Sequence, residues 1–76
     1  MEMEEFIKHF SAQFDETPDG INGDSVFRNL EGWSSLVAVS VIAMADEEYN
    51  VMLKGDDIRN SVTVKDIFEK IKNLKK

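Results

Sequence analysis

Residues 36–45, Leu-Val-Ala-Val-Ser-Val-Ile-Ala-Met-Ala, carry no charge in a chain of only 76 residues. The run is well short of the roughly 18 residues that span a bilayer. It reads as the middle of a helix from about Ser35 to Tyr49, in which ten of fifteen residues are apolar or aromatic. A helix greasy on nearly all sides should be buried on nearly all sides. A chain this small buries only about 60% of its unfolded surface, so it lacks the neighbours to surround such a helix. The 3–4 spacing assigns Ala38, Val41, Ile42, Ala45 and Tyr49 to the core. Leu36, Val39, Ser40, Ala43 and Glu47 then lie together on the other side, in line with Ser35. Contiguous exposed apolar surface of this kind points to a docking face.

The start of that helix is locally encoded. Ser34 suits the N-cap, where its oxygen accepts from an orphan backbone N–H. Ser35 falls on the first turn, a place where better helix formers exist. No base stands beside its hydroxyl in sequence. It therefore reads as a point of attachment and not as a nucleophile that turns over substrate.

Other segments supply the frame. Met3, Phe6, Ile7, Phe10 and Phe14 recur at helical spacing over residues 3–14. Residues 15–23 read as loop, broken by Pro18, Gly20, Asn22 and Gly23. A structureless stretch from 15 to 34 would be long for so small a domain. A short helical turn capped by Asp24 and stopped by Gly32 resolves this, with Val26, Phe27 and Leu30 reaching the core. Asn50 and Gly55 bracket a connection, and residues 56–60 form one short turn begun by two acids. The last helix opens with Thr63 at N-cap and Asp66 at N3, flanked by Val62 and Ile67 at the staple positions. Val64, Ile67, Phe68, Ile71 and Leu74 mark its buried stripe. No segment alternates with period two. The expected fold is all-α, a bundle of three main helices and one or two short ones.

Charge and composition exclude several classes. Residues 1–64 hold 13 acids and 4 bases, whereas residues 65–76 hold 2 acids and 5 bases. The terminal lysines suit a helix C-terminus. The acidic body repels nucleic acid and favours partners with basic surfaces. Without cysteine there is no disulfide, thiolate metal site or cysteine nucleophile. The acidic N-terminus, Met1 to Glu5, lacks a basic n-region and an apolar core. A soluble, cytoplasmic, monomeric protein without a membrane span is expected.

Three other groups carry less. His9 is the single histidine; it has no triad partner placed by sequence and reads as a solvated surface residue. Asp15, Thr17, Asp19 and Gly20 imitate positions 1, 3, 5 and 6 of a calcium loop, but position 12 is Val26 instead of a bidentate Glu. Asp24-Ser25-Val26 is a second Asp-Ser-apolar triplet, yet Gly32 leaves no long helix behind it. No catalytic residue and no metal ligand set is assigned.

Residues 30–36 (Leu-Glu-Gly-Trp-Ser-Ser-Leu), 42–51 (Ile-Ala-Met-Ala-Asp-Glu-Glu-Tyr-Asn-Val) and 63–67 (Thr-Val-Lys-Asp-Ile) together resemble the acyl carrier proteins. The likeness runs from Phe6 to Ile71. It implies a four-helix bundle with three main helices, one short helix and a long first loop. In that family an Asp-Ser-Leu motif opens the second helix and its serine carries 4′-phosphopantetheine; here that serine is Ser35. The implied function is carriage of acyl groups as thioesters in fatty acid, polyketide or related biosynthesis, without catalysis by the chain itself. The implied partners are a phosphopantetheinyl transferase and acyl-group synthases, reductases, transferases or ligases. They would meet Leu36, Val39, Asp46 and Glu47.

The chain departs from the family at two places. Ser34 replaces the motif's aspartate, keeping the cap and losing its charge. Val37 and Ser40 stand where many fatty-acid carriers have acids, which implies a specialised carrier whose partners dock more through apolar contact. A rival of another class keeps the fold without the arm: an acidic helical interaction module.

Overall fold

The computed structural model describes residues 2–75. Four α-helices follow in order, α1 (Met3–Ser11), α2 (Ser35–Tyr49), α3 (Gly55–Arg59) and α4 (Val64–Leu74), with a 3₁₀ turn at Phe27–Asn29 inside the long first loop. Among the described residues the only β-type pairing is an isolated bridge between Val26 and Thr63. The all-α expectation holds. Met1 and Lys76, read above as part of the acidic N-terminus and the lysine-rich end, lie outside the described residues.

Phe6, Phe10 and Phe14 all reach the core, but α1 ends at Ser11 and Phe14 arrives through the turns that follow. Two aromatic groups share this stripe. Phe6 meets Phe68 at 5.4 Å and Tyr49 at 6.1 Å, tying α1 to α4 and α2. Phe10, Phe14 and Phe27 surround Trp33, with Phe27 closest at 4.8 Å. Each fully buried Phe contributes about 1.5–3 kcal/mol over exposure. Phe27 and Trp33 thus anchor the two ends of the segment that leads into α2.

The first loop corrects one expectation. The short turn is capped by Val26, not Asp24, and Val26 stays partly exposed. Asp24 instead donates its N–H to Asn22 Oδ1. Phe27 is buried and Leu30 half-buried, as read. Gly32 lies beyond the turn at φ 90°, a bend L side chains resist, directly before α2.

Loop and α4 are stitched together. Ser25 O accepts from Val64 N at 3.0 Å, and Gly23 O from Lys65 N at 2.8 Å. Thr63 and Asp66 form the expected capping box: Asp66 N donates to Thr63 Oγ1, and Thr63 N to Asp66 Oδ2. Val62 N also donates to Asp66 Oδ2. These two N–H donors hold the Asp66 carboxyl below its ordinary pKa, that of Thr63 first. Of the predicted stripe, Val64, Ile67, Phe68 and Ile71 are buried, whereas Leu74 is exposed in the last turn, and Val62 of the staple pair remains exposed too.

Helix α3 begins at Gly55, one residue before the two acids, so Gly55 belongs to the helix and not to the connection. Asp57 Oδ2 accepts from Lys54 N at 2.9 Å. That bond, with lesser help from Lys70, holds the Asp57 carboxyl below its ordinary value.

Candidate functional site

Helix α2 runs from Ser35 to Tyr49, the predicted span. At its N-terminus Ser34 is the cap, and its Oγ accepts from Val37 N at 3.4 Å. Ser35 is exposed. Among the described residues no acceptor meets the N–H of Ser35 or Leu36. No acid occupies the first turn of this helix. The result is an accessible hydroxyl beside free backbone donors at the positive end of a fifteen-residue helix.

The neighbouring surface follows from helix geometry. At about 100° per residue, Val39, Ala43 and Leu36 lie within roughly 100° of Ser35 around the axis. Asp46 falls in the same sector and Glu47 at its edge, about 120° from Ser35, both about 16–18 Å further along at 1.5 Å per residue. All five are exposed, Leu36 at 78% and Val39 at 62%. The predicted docking residues and the serine therefore share one open face, apolar near the serine and acidic at the far end.

The inward face differs from the one expected. Val37, Val41, Met44, Ala45 and Tyr49 are buried, while Ala38 and Ile42 are only half-buried. The buried arc is rotated by about 50° from the predicted one. The cause is the helix's uniform greasiness: its own spacing offers no preference, and the packing of α1 and α3 against it decides. Val37, at 7% exposure, is thus a core residue and not part of the docking face. Ser40 is half-buried at its margin.

Both rival groups are otherwise engaged. Ser25 is half-buried and its Oγ accepts from Asn22 N at 3.0 Å, so its hydroxyl serves the loop. His9 is not a freely solvated histidine. It is half-buried, packed edge-on against the Tyr49 ring, with Nε2 3.9 Å from Glu5 and 3.8 Å from Glu48. Tyr49 Oη is buried without a hydrogen-bond partner. Burial, then the Glu5 and Glu48 carboxylates, raise the pKa of that phenol. In the first loop Asp15, Glu16, Asp19 and Glu31 line an open cleft of about 470 Å³ with Thr17, Pro18 and Gly32. Among the described residues no three His, Cys, Asp or Glu side chains are grouped to hold a metal ion.

Two residues escaped the sequence reading. Met52, just beyond α2, is 77% exposed and adds to the apolar surface. Arg28 joins the first loop to α3 by donating to main-chain carbonyls 30–33 residues away. No side-chain pattern could announce acceptors of that kind. Among the described residues no helix is long and apolar enough to cross a membrane. Comparison with protein-family models, curated proteins and solved structures finds no match to this chain.

Proposed function

We propose that this chain is an acyl carrier protein that bears 4′-phosphopantetheine on Ser35. The observation that carries the reading is the exposed Ser35 hydroxyl on the first turn of α2, beside unpaired N–H groups and the exposed Leu36 and Val39. A phosphodiester fits there, because free amides and the helix dipole favour negative charge at such an end. When bound, the group supplies a thiol that a cysteine-free chain lacks. The chain itself catalyses nothing in this reading. Ser35 would hold the arm, the N–H groups of Ser35 and Leu36 would be free to serve its phosphate, and the α2 surface would present it. Leu36 and Val39 form the apolar contact, and Asp46 and Glu47 attract basic partner surfaces. Such a protein works in the cytoplasm as a monomer, serving a transferase and then acyl-group synthases, reductases, transferases or ligases. With Val37 turned inward, the apolar character of the docking face rests on Leu36, Val39 and Ala43.

Incubation with coenzyme A and a broad-specificity phosphopantetheinyl transferase is expected to add the mass of one phosphopantetheine. Attachment at Ser25, or none with any transferase, would refute the reading. One observation favours a second reading: no acid occupies the first turn of α2 and Ser34 stands at the motif's aspartate position. An interaction module without the arm then remains, and it requires an unmodified mass for protein isolated from its native host.

A further inference from the structure

We infer that Arg28 is a latch that holds α3 against the body of the protein, so that α3 can be released while the rest stays folded. This does not depend on the carrier reading. The two ends of the latch are unequally fixed. On one side the guanidinium carbon lies 4.7 Å from the ring centroid of Phe27, and that ring is wholly buried against Trp33 and Phe10. On the other side Nη1 donates to Ser61 O at 2.6 Å, and Nη2 donates to Ile58 O at 2.8 Å and to Arg59 O at 2.9 Å. Those three carbonyls belong to the end of α3 and the link that follows it.

Beyond its packing against α2 and α4, helix α3 has few specific ties. Its five residues are too few to persist alone, and it sends a single buried side chain, Ile58, into the core. Its remaining side-chain ties are the Lys70–Asp57 pair at 3.4 Å and the bond from Ser61 Oγ to Asp57 O at 2.8 Å. The carbonyls at a helix end lack the partners of a continuing helix; of the three bound by Arg28, Ile58 O also accepts from Ser61 N at 3.1 Å. Here a planar guanidinium from a distant loop serves them, a geometry its fork of donors suits and a lysine ammonium does not. Short segments with few buried contacts open locally below the global unfolding free energy. Removing the latch therefore acts on α3 first.

The test is residue-resolved amide exchange by NMR on the full chain, comparing wild type with Arg28→Gln. The N–H groups of Asn60 and Ser61, bonded to Asp56 O and Ile58 O, report on α3; those of Val41 and Ile71 report on the body. The latch requires exchange at Asn60 and Ser61 to rise at least tenfold while Val41 and Ile71 change less than threefold. Arg59→Gln removes an equal charge from α3 itself, from an exposed pair with Asp56, and should leave all four within threefold. A uniform rise across the four amides in Arg28→Gln would overturn the latch, reducing Arg28 to general stability. No change at Asn60 and Ser61 would overturn it too, leaving Ile58 burial as the whole attachment. If Arg28→Gln fails to fold, Arg28→Lys is read by the same criteria.

Discussion

The N-termini of α2 and α4 are both capped by a hydroxyl, yet they are built to opposite ends. At α4 every early donor is used. Thr63 Oγ1 takes Asp66 N, the loop carbonyls of Ser25 and Gly23 take Val64 N and Lys65 N, and the Asp66 carboxylate takes Thr63 N and Val62 N. At α2 the single side-chain bond, Val37 N to Ser34 Oγ, is long at 3.4 Å, and nothing among the described residues meets the donors before it. Unpaired donors at a helix end are ordinary where water can reach them. The contrast is that a loop and a carboxylate seal α4, whereas α2 is left open beside the exposed Leu36 and Val39.

The strongest way to break this comparison is Ser35→Ala. If α2 is the working end, loading with phosphopantetheine should disappear completely, as read by intact mass. Stability should stay within about 0.5 kcal/mol of wild type, as for other surface substitutions. Retained loading would move the attachment point elsewhere. Next in size is the docking face. Leu36→Asp or Val39→Asp should leave the circular dichroism of the helices unchanged, because both side chains are exposed, while turnover of the loaded protein by a partner enzyme drops severalfold or more. A loss of helicity would mean that the face was misassigned.

How far the sequence carries depends on whether the deciding interaction is local. Ser34, Thr63 and Asp66 act within one turn of themselves, so the starts of α2 and α4 were legible to the residue. Ser35, Leu36 and Val39 were legible as surface because a helix with too few neighbours must leave one side open. The exact arc turned inward was not legible. Val37 and Met44 are as apolar as Ala38 and Ile42, so only the positions of α1 and α3 could choose between them. Arg28, His9 and Val26 were misread or passed over for a related reason: each is placed by partners distant in sequence.

If α4 is the structural end, its cap should matter more. Thr63→Ala is expected to cost about 1 kcal/mol, lowering the thermal midpoint by about 4–8 °C for a domain this size. Ser34→Ala, which loses a longer bond, should cost about half as much. Equal losses would erase the distinction.

Acidity separates the ends in a second way. The folded pKa values of Asp66 and Asp57 lie below their ordinary value. The stability they contribute is therefore fully present above the unfolded pKa of about 3.9 and is lost as pH falls through the lower folded values. Below about pH 4, amide protection at Thr63 and Lys54 should fall. The Val37 amide, held by a hydroxyl that does not titrate, should keep its protection until the whole domain unfolds. Asp66→Asn should remove its share of this acid sensitivity, measured as a flatter dependence of the thermal midpoint on pH.

The smallest expected effect is the most discriminating. Ser34→Asp keeps a good cap and places a carboxylate at the uncompensated end of α2. The dipole interaction there amounts to about 0.3–1 kcal/mol at low ionic strength and should fade as salt shortens the Debye length. The matching change at the other end, Thr63→Asp, adds a second carboxylate beside Asp66, whose charge already occupies the donors. It should therefore stabilise less than Ser34→Asp, or destabilise. Thermal midpoints of the two variants, at low and high salt, decide between open and sealed ends without any cofactor or partner present. If both variants gain equally, α4 has spare capacity for an anion as well, and an exposed serine at the start of α2 loses its claim to a specially prepared electrostatic setting.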